Sequence, residues 1–122
     1  MAGECNVTII AEVLGLDKEV SFSEKFAVTT TPTKATLNTQ IQATANIAEA
    51  LNLCGISTVE LVIIKAVAND LDIDCDFSSA FDADIHIPEG ETRVVKPSGT
   101  LYIKNNDTDE ACTVSVLIIG SA

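Results

Sequence analysis

Between Leu53 and Phe77 the chain reads LCGISTVELVIIKAVANDLDIDCDF, and this stretch restricts the possible folds more than any other. In its second half Leu71, Ile73, Cys75 and Phe77 alternate with Asp70, Asp72, Asp74 and Asp76. Strand side chains switch faces at every residue, so this spacing puts the apolar groups on one side and the carboxylates on the other. The result is a half-buried strand with one wet face. The first half, from Val59 to Val67, is a denser aliphatic run rich in β-branched residues that suit a pleated surface, and it belongs deeper in a sheet. Two strands facing each other across a short turn are predicted, with the rest of the chain adding further layers. No catalytic constellation assembles here or elsewhere, so residue chemistry alone points to a soluble all-β module and to no enzyme.

With 122 residues, the chain 1–122 is expected to be a single domain that buries roughly two-thirds of its unfolded surface without metal or disulfide staples. The 47% of hydrophobic residues are mostly aliphatic, with no Trp and 4% aromatics. An aliphatic core follows, with Tyr102 and the phenylalanines as its main bulky fillers.

A formal net charge of −11 argues against nucleic acid, whose phosphates are gripped by clustered Lys and Arg that are absent here. There is no run of about 18 apolar residues and no basic region followed by an apolar one, so neither a membrane span nor a signal peptide is expected. The product is expected to stay in the cytoplasm where it is made until assembly or lysis releases it. Cys5, Cys54, Cys75 and Cys112 form no CxxC or zinc-type spacing. Cys75 and Cys112 fall on the apolar side of alternating runs and read as small buried hydrophobes.

Along the chain, Asn6 to Leu14 alternates through Val7, Ile9, Ala11 and Val13, and Gly15 to Lys18 reverses it. A second run from Glu19 to Thr30 keeps the phase through Val20, Phe22, Phe26 and Val28, which makes a long hairpin. Pro32 ends it, having no amide hydrogen for a ladder. From Ala35 to Leu53 two readings stand. Thr39 and Gln42 could form a capping box opening an Ala-rich helix. Alternatively, the apolar odd positions Leu37, Ile41, Ala43, Ala45, Ile47, Leu51 and Leu53 describe two strands with a bend near Ala45-Asn46, the reading favoured because strands flank it on both sides. Short strands follow at Ala83 to Ile87, Thr92 to Lys96 and Thr100 to Lys104, with turns at Pro88 to Glu91 and Pro97 to Gly99. After the polar tip from Asn105 to Glu110, the last strand, Cys112 to Ile119, alternates and then becomes wholly apolar, so its end needs a cover. About nine or ten short strands at this spacing are the signature of an antiparallel β-sandwich of jelly-roll-like type.

The carboxylates Asp70, Asp72, Asp74, Asp76, Asp82 and Asp84 invite a Ca²⁺ reading. An EF-hand starting at Asp70 fails, with Cys75 at the glycine position and Phe81 at the glutamate position. A regular strand also spaces same-face carboxylates by roughly 7 Å, too far apart to share one ion without a bend. The stripe is therefore read as a solvated, edge-protecting face, with no metal and no cofactor assigned. His86 reads as a surface or interface histidine, since nothing in the sequence places Ser78, Ser79 or a carboxylate beside it.

The segment Glu49-Ala50-Leu51-Asn52-Leu53-Cys54-Gly55-Ile56-Ser57-Thr58, the buried run Leu61 to Lys65, the turn Ile87-Pro88-Glu89-Gly90-Glu91 and the strand Gly99 to Lys104 leading to Val114 through Ile119 together resemble small structural proteins of tailed bacteriophages. Cys54 stands where a polar residue is expected before the glycine. The resemblance covers about the last two-thirds of the chain. It implies a virion component, of the capsid decoration or cement type, that sits as a homotrimer on the capsid surface and binds a major capsid protein. The apolar end of the last strand and Met1-Ala2-Gly3 are candidate contacts. A tail-fibre or receptor-binding module and a Ca²⁺-dependent binding protein are the alternatives.

Overall fold

The computed structural model describes residues 3–15, 20–27, 32–42, 48–105 and 110–121. The described residues form ten strands and no helix: β1 (Asn6–Val13), β2 (Val20–Ala27), β3 (Lys34–Gln42), β4 (Glu49–Ala50), β5 (Thr58–Ala68), β6 (Leu71–Phe77), β7 (Ile85–Ile87), β8 (Thr92–Val95), β9 (Thr100–Lys104) and β10 (Cys112–Ser121). All pairings are antiparallel. Strands β3-β10-β5-β8 make one four-stranded sheet and β4-β9-β6-β7 a second, while β1 and β2 pair only with each other. From β3 to β10 the chain passes repeatedly between the two sheets, which gives an eight-stranded jelly roll preceded by a hairpin arm.

The aspartate-alternating stretch and the aliphatic run before it become β6 and β5, joined at Asn69, whose φ is 71°. They are not ladder partners. Each is an interior strand of its own sheet, and they face one another across the core. Val62, Ile64 and Ala66 of β5 meet Leu71 and Ile73 of β6, with Val114, Val116 and Ile118 of β10 and Leu101 and Ile103 of β9 completing the cluster. Ala66, Leu71 and Val116 are among those with no exposed surface. Leu53-Cys54-Gly55-Ile56 closes tightly, with the Ile56 amide donating to Leu53 O at 3.1 Å and both central residues at positive φ, 54° and 85°. That conformation favours Asn-Gly, and here a cysteine holds the first position.

The core is aliphatic, as expected, but the rings are not its fillers. Phe22 and Phe26 lie exposed on the arm, and Phe77 stacks on Tyr102 with centroids 3.7 Å apart outside the core cluster. Phe77 leaves the phase of Leu71, Ile73 and Cys75 because a register shift falls between Asp74 and Phe77, and one extra residue turns a strand over.

The strand reading of 35–53 holds for β3 and β4, whereas the bend near Ala45-Asn46 lies outside the described residues. Its predicted apolar face is directed outward: Leu37 is 74% and Ile41 69% exposed. The polar side of β3 turns toward the β4–β5 connection instead. Gln40 Nε2 donates to Asn52 O at 2.8 Å, Asn52 N donates to Gln40 Oε1 at 3.1 Å, and Asn38 Nδ2 donates to Cys54 Sγ at 3.2 Å. Those bonds satisfy amides that an apolar interior would leave unpaired, and so they decide which way β3 faces. The apolar end of β10 is covered by the chain's own start, since Val7 and Cys5 pack on Leu61 and Ile119. Of the predicted contact Met1-Ala2-Gly3, Met1 and Ala2 lie outside the described residues, and Gly3 N donates to Pro32 O at 2.7 Å.

Candidate functional site

Two surfaces carry unusual chemistry, one on the outer side of each sheet. On the second sheet, Leu71, Ile73, Ile87, Leu101 and Ile103 point inward, so strand alternation sets Asp72, His86, Tyr102 and Lys104 on the outer side. Asp72 lies opposite His86 in the β6–β7 ladder, and His86 Nδ1 sits 2.6 Å from Asp72 Oδ1. Its Nε2 lies 3.4 Å from Asp70 Oδ2. The hydrogen bond to Asp72, together with the charges of Asp72 and Asp70, raises the imidazole pKa above its usual value. With Asp72 at Nδ1 and Asp70 near Nε2, the ring clips the edge strand β7 to β6. Ser78 and Ser79, both exposed, follow β6 and make no hydrogen bond to it.

The same register shift that turns Phe77 over draws carboxylates together. Asp74, Asp76 and Asp84 each offer an oxygen, and these atoms lie within 4.8 Å of one another. The spacing expected of a regular strand therefore does not apply here. Asp74, only 2% exposed, accepts from the backbone amides of Asp82 at 3.0 Å and Asp76 at 3.1 Å, while Asp84 Oδ2 accepts from Cys75 N at 2.8 Å. The amide of Asp82, with help from that of Asp76, holds the Asp74 carboxyl below its usual pKa. Asp76 is raised, first by its hydrogen bond to Asp74 and then by the charge of Asp84. The trio has the oxygen donors a hard divalent cation wants, but a full shell takes six to eight. Asp70 is used elsewhere, accepting from Glu89 N at 2.8 Å.

The outer side of the first sheet is the opposite in character. Its four strands project Ala35, Leu37, Thr39 and Ile41 from β3, Thr113, Ser115, Leu117 and Ile119 from β10, Leu61, Ile63, Lys65 and Val67 from β5, and Thr92 and Val94 from β8. Lys65 is the one charge among them, and no carboxylate is present, on a chain whose net charge is −11. The arm is amphipathic too. Register places Val7, Ile9, Ala11 and Val13 opposite Phe26, Glu24, Phe22 and Val20 on one face, where Glu24 is the one charge. All eleven exposed large hydrophobic side chains of the described residues lie either on the arm (seven) or on this sheet face (Leu37, Ile41, Val67 and Val94).

All four cysteines are free thiols. Cys112 is fully buried and Cys75 partly so, and burial raises both thiols, Cys112 to about 11. This agrees with their reading as small hydrophobes. The apolar sheet face is not legible in the alternation of the sequence alone, because Leu37 and Ile41 alternate as core positions do. The available signal was the run Thr36, Asn38, Gln40 on the other side of β3, three polar residues with several hydrogen bonds to place. Comparison with known proteins gives no match to any family model, any curated protein or any solved structure.

Proposed function

We propose that this chain is a non-enzymatic structural protein of the capsid decoration type, binding copies of itself and the major capsid protein of a virion shell. The observation that carries the reading is the confinement of every exposed large hydrophobic side chain of the described residues to the arm and one sheet face. Monomers seldom expose apolar surface on this scale, and contiguous patches of it mark sites of protein association. The acidic remainder of the surface keeps such a protein from sticking indiscriminately at high copy number. Repetition on a lattice turns weak single contacts into firm attachment.

The test is co-sedimentation of the purified protein with capsids lacking it, together with the temperature at which those capsids rupture. Saturable binding and a higher rupture temperature are expected; absence of both overturns the reading. The acidic cluster favours a second reading, Ca²⁺-dependent binding. Calorimetric Ca²⁺ uptake that is lost on Asp84→Asn would favour it over the first.

A further inference from the structure

We propose that the arm formed by β1 and β2 lays its apolar face on the outer side of the β3-β10-β5-β8 sheet of a second copy of this chain, with Glu24 set over Lys65. This deepens the structural reading above and rests on it, by naming the surface through which copies join.

Three observations lead to that occupant. First, a lone two-stranded hairpin is marginal in water, so an arm with Phe22 53%, Val20 52% and Phe26 43% exposed needs a surface to lie on. Its own sheet is not serving as one, because Leu37, Ile41, Val67 and Val94 stay exposed in the same chain. Only the base of the arm is seated, where Val7 packs on Leu61 and Ile119, and this shows that the arm's apolar face and this sheet face are compatible.

Second, the two surfaces carry the same pattern. On the sheet, the row Thr39-Ser115-Lys65-Thr92 has the apolar row Leu37-Leu117-Ile63-Val94 on one side, with Leu37 and Val94 exposed and Leu117 and Ile63 partly buried against the Val7 cluster, and Ile41 and Val67 on the other. On the arm, Glu24 and Ile9 have Phe22 with Ala11 on one side and Phe26 on the other, where its neighbour Val7 is already seated on its own sheet. In both cases one charge sits between apolar rows about 7 Å away along the strand. Setting Glu24 on Lys65 with the strands roughly aligned brings Phe22 and Phe26 over the two apolar rows. The charges are opposite in sign, and neither residue has an ion-pair partner among the described residues.

Third, the exposed side chains on the two surfaces present on the order of 900 Å² together, just under the roughly 1,000 Å² that a specific interface needs, and reciprocal exchange forms the contact twice. The contact joins two different patches, so copies close by reciprocal exchange or around a ring.

The experiment is mass measurement by sedimentation across micromolar concentrations for wild type, Glu24→Lys, Lys65→Glu, the double variant, and an equimolar mixture of the two single variants, each checked for an unchanged β-type circular-dichroism spectrum. Wild type is expected to associate, and each single variant to associate at least tenfold more weakly. The double variant and the mixture are expected to return to within about threefold of wild type. Recovery in the mixture requires that an arm from one copy meets the sheet of another. A monomeric wild type, single variants that associate as wild type does, or singles that neither the double nor the mixture rescues would each overturn the proposal. A monomer that still co-sediments with capsids would sink arm exchange alone and leave the decoration reading standing.

Discussion

Gly120→Ala is the substitution whose consequence the structure fixes most tightly. Gly120 lies on β10 opposite Val59, next to a register shift that presses the two backbones together. A Cβ there would overlap the carbonyl oxygen of Thr58 and come within 2.9 Å of Ile56 Cγ2. The obstacle is mainly backbone, so a side-chain rotation cannot clear it and β10 must move away from β5. Overpacking of this kind costs roughly 1–3 kcal/mol. The shift also strains the bonds from Thr33 N to Gly120 O and from Ser57 N to Ser121 O, both 2.9 Å. At about 1 kcal/mol for each bond lost, the total is about 3–5 kcal/mol. For a chain of this length such a loss lowers Tm by roughly 12–20 °C. Gly90→Ala is the control: Gly90 has φ 88° with nothing within 4 Å of its would-be Cβ, so that change costs only the left-handed backbone, about 1–2 kcal/mol. Urea unfolding followed by circular dichroism measures both. If Gly120→Ala costs less than Gly90→Ala, the close approach of β10 and β5 is wrong.

His86 gives a pH dependence. Its pKa is raised on folding, so its stabilising contribution is complete below the unfolded value of about 6.5 and is lost as pH rises through the folded value. The ring is more than half exposed, so the effect stays below about 1 kcal/mol after screening, and unfolding from pH 5.5 to 8.5 should show a decline that His86→Gln abolishes. Thr36 carries a buried hydroxyl without a hydrogen-bond partner among the described residues; Thr36→Val should raise stability by about 1 kcal/mol in the same assay, and a loss would show that the hydroxyl is satisfied in solution. Cys112, with its thiol pushed up to about 11, should resist alkylation at pH 8 until the protein unfolds, as read by peptide mass mapping. Its labelling at the rate of an unfolded thiol would contradict its burial.

Two-residue periodicity was enough to identify the strands and the class of fold. Alternation in β1, β2, β10 and β6 as far as Cys75 states directly which residues share a face, and the Pro88 to Glu91 turn shows in the glycine that takes positive φ at position 90. The acidic surface and the aliphatic core follow from the same pattern. What alternation cannot say is which side of a strand meets the interior, since both phases satisfy the local backbone equally. For β3 that choice was made by Asn52 and Cys54, which offer hydrogen bonds to Gln40 and Asn38 from a distant connection and so send Leu37 and Ile41 out to solvent. For Phe77 and the Asp74, Asp76, Asp84 cluster it was made by one extra residue against β9, a mismatch that exists only once two strands are paired. Periodicity belongs to a single strand and is written in its residues, whereas facing and register belong to pairs of strands and arise only when the sheets assemble.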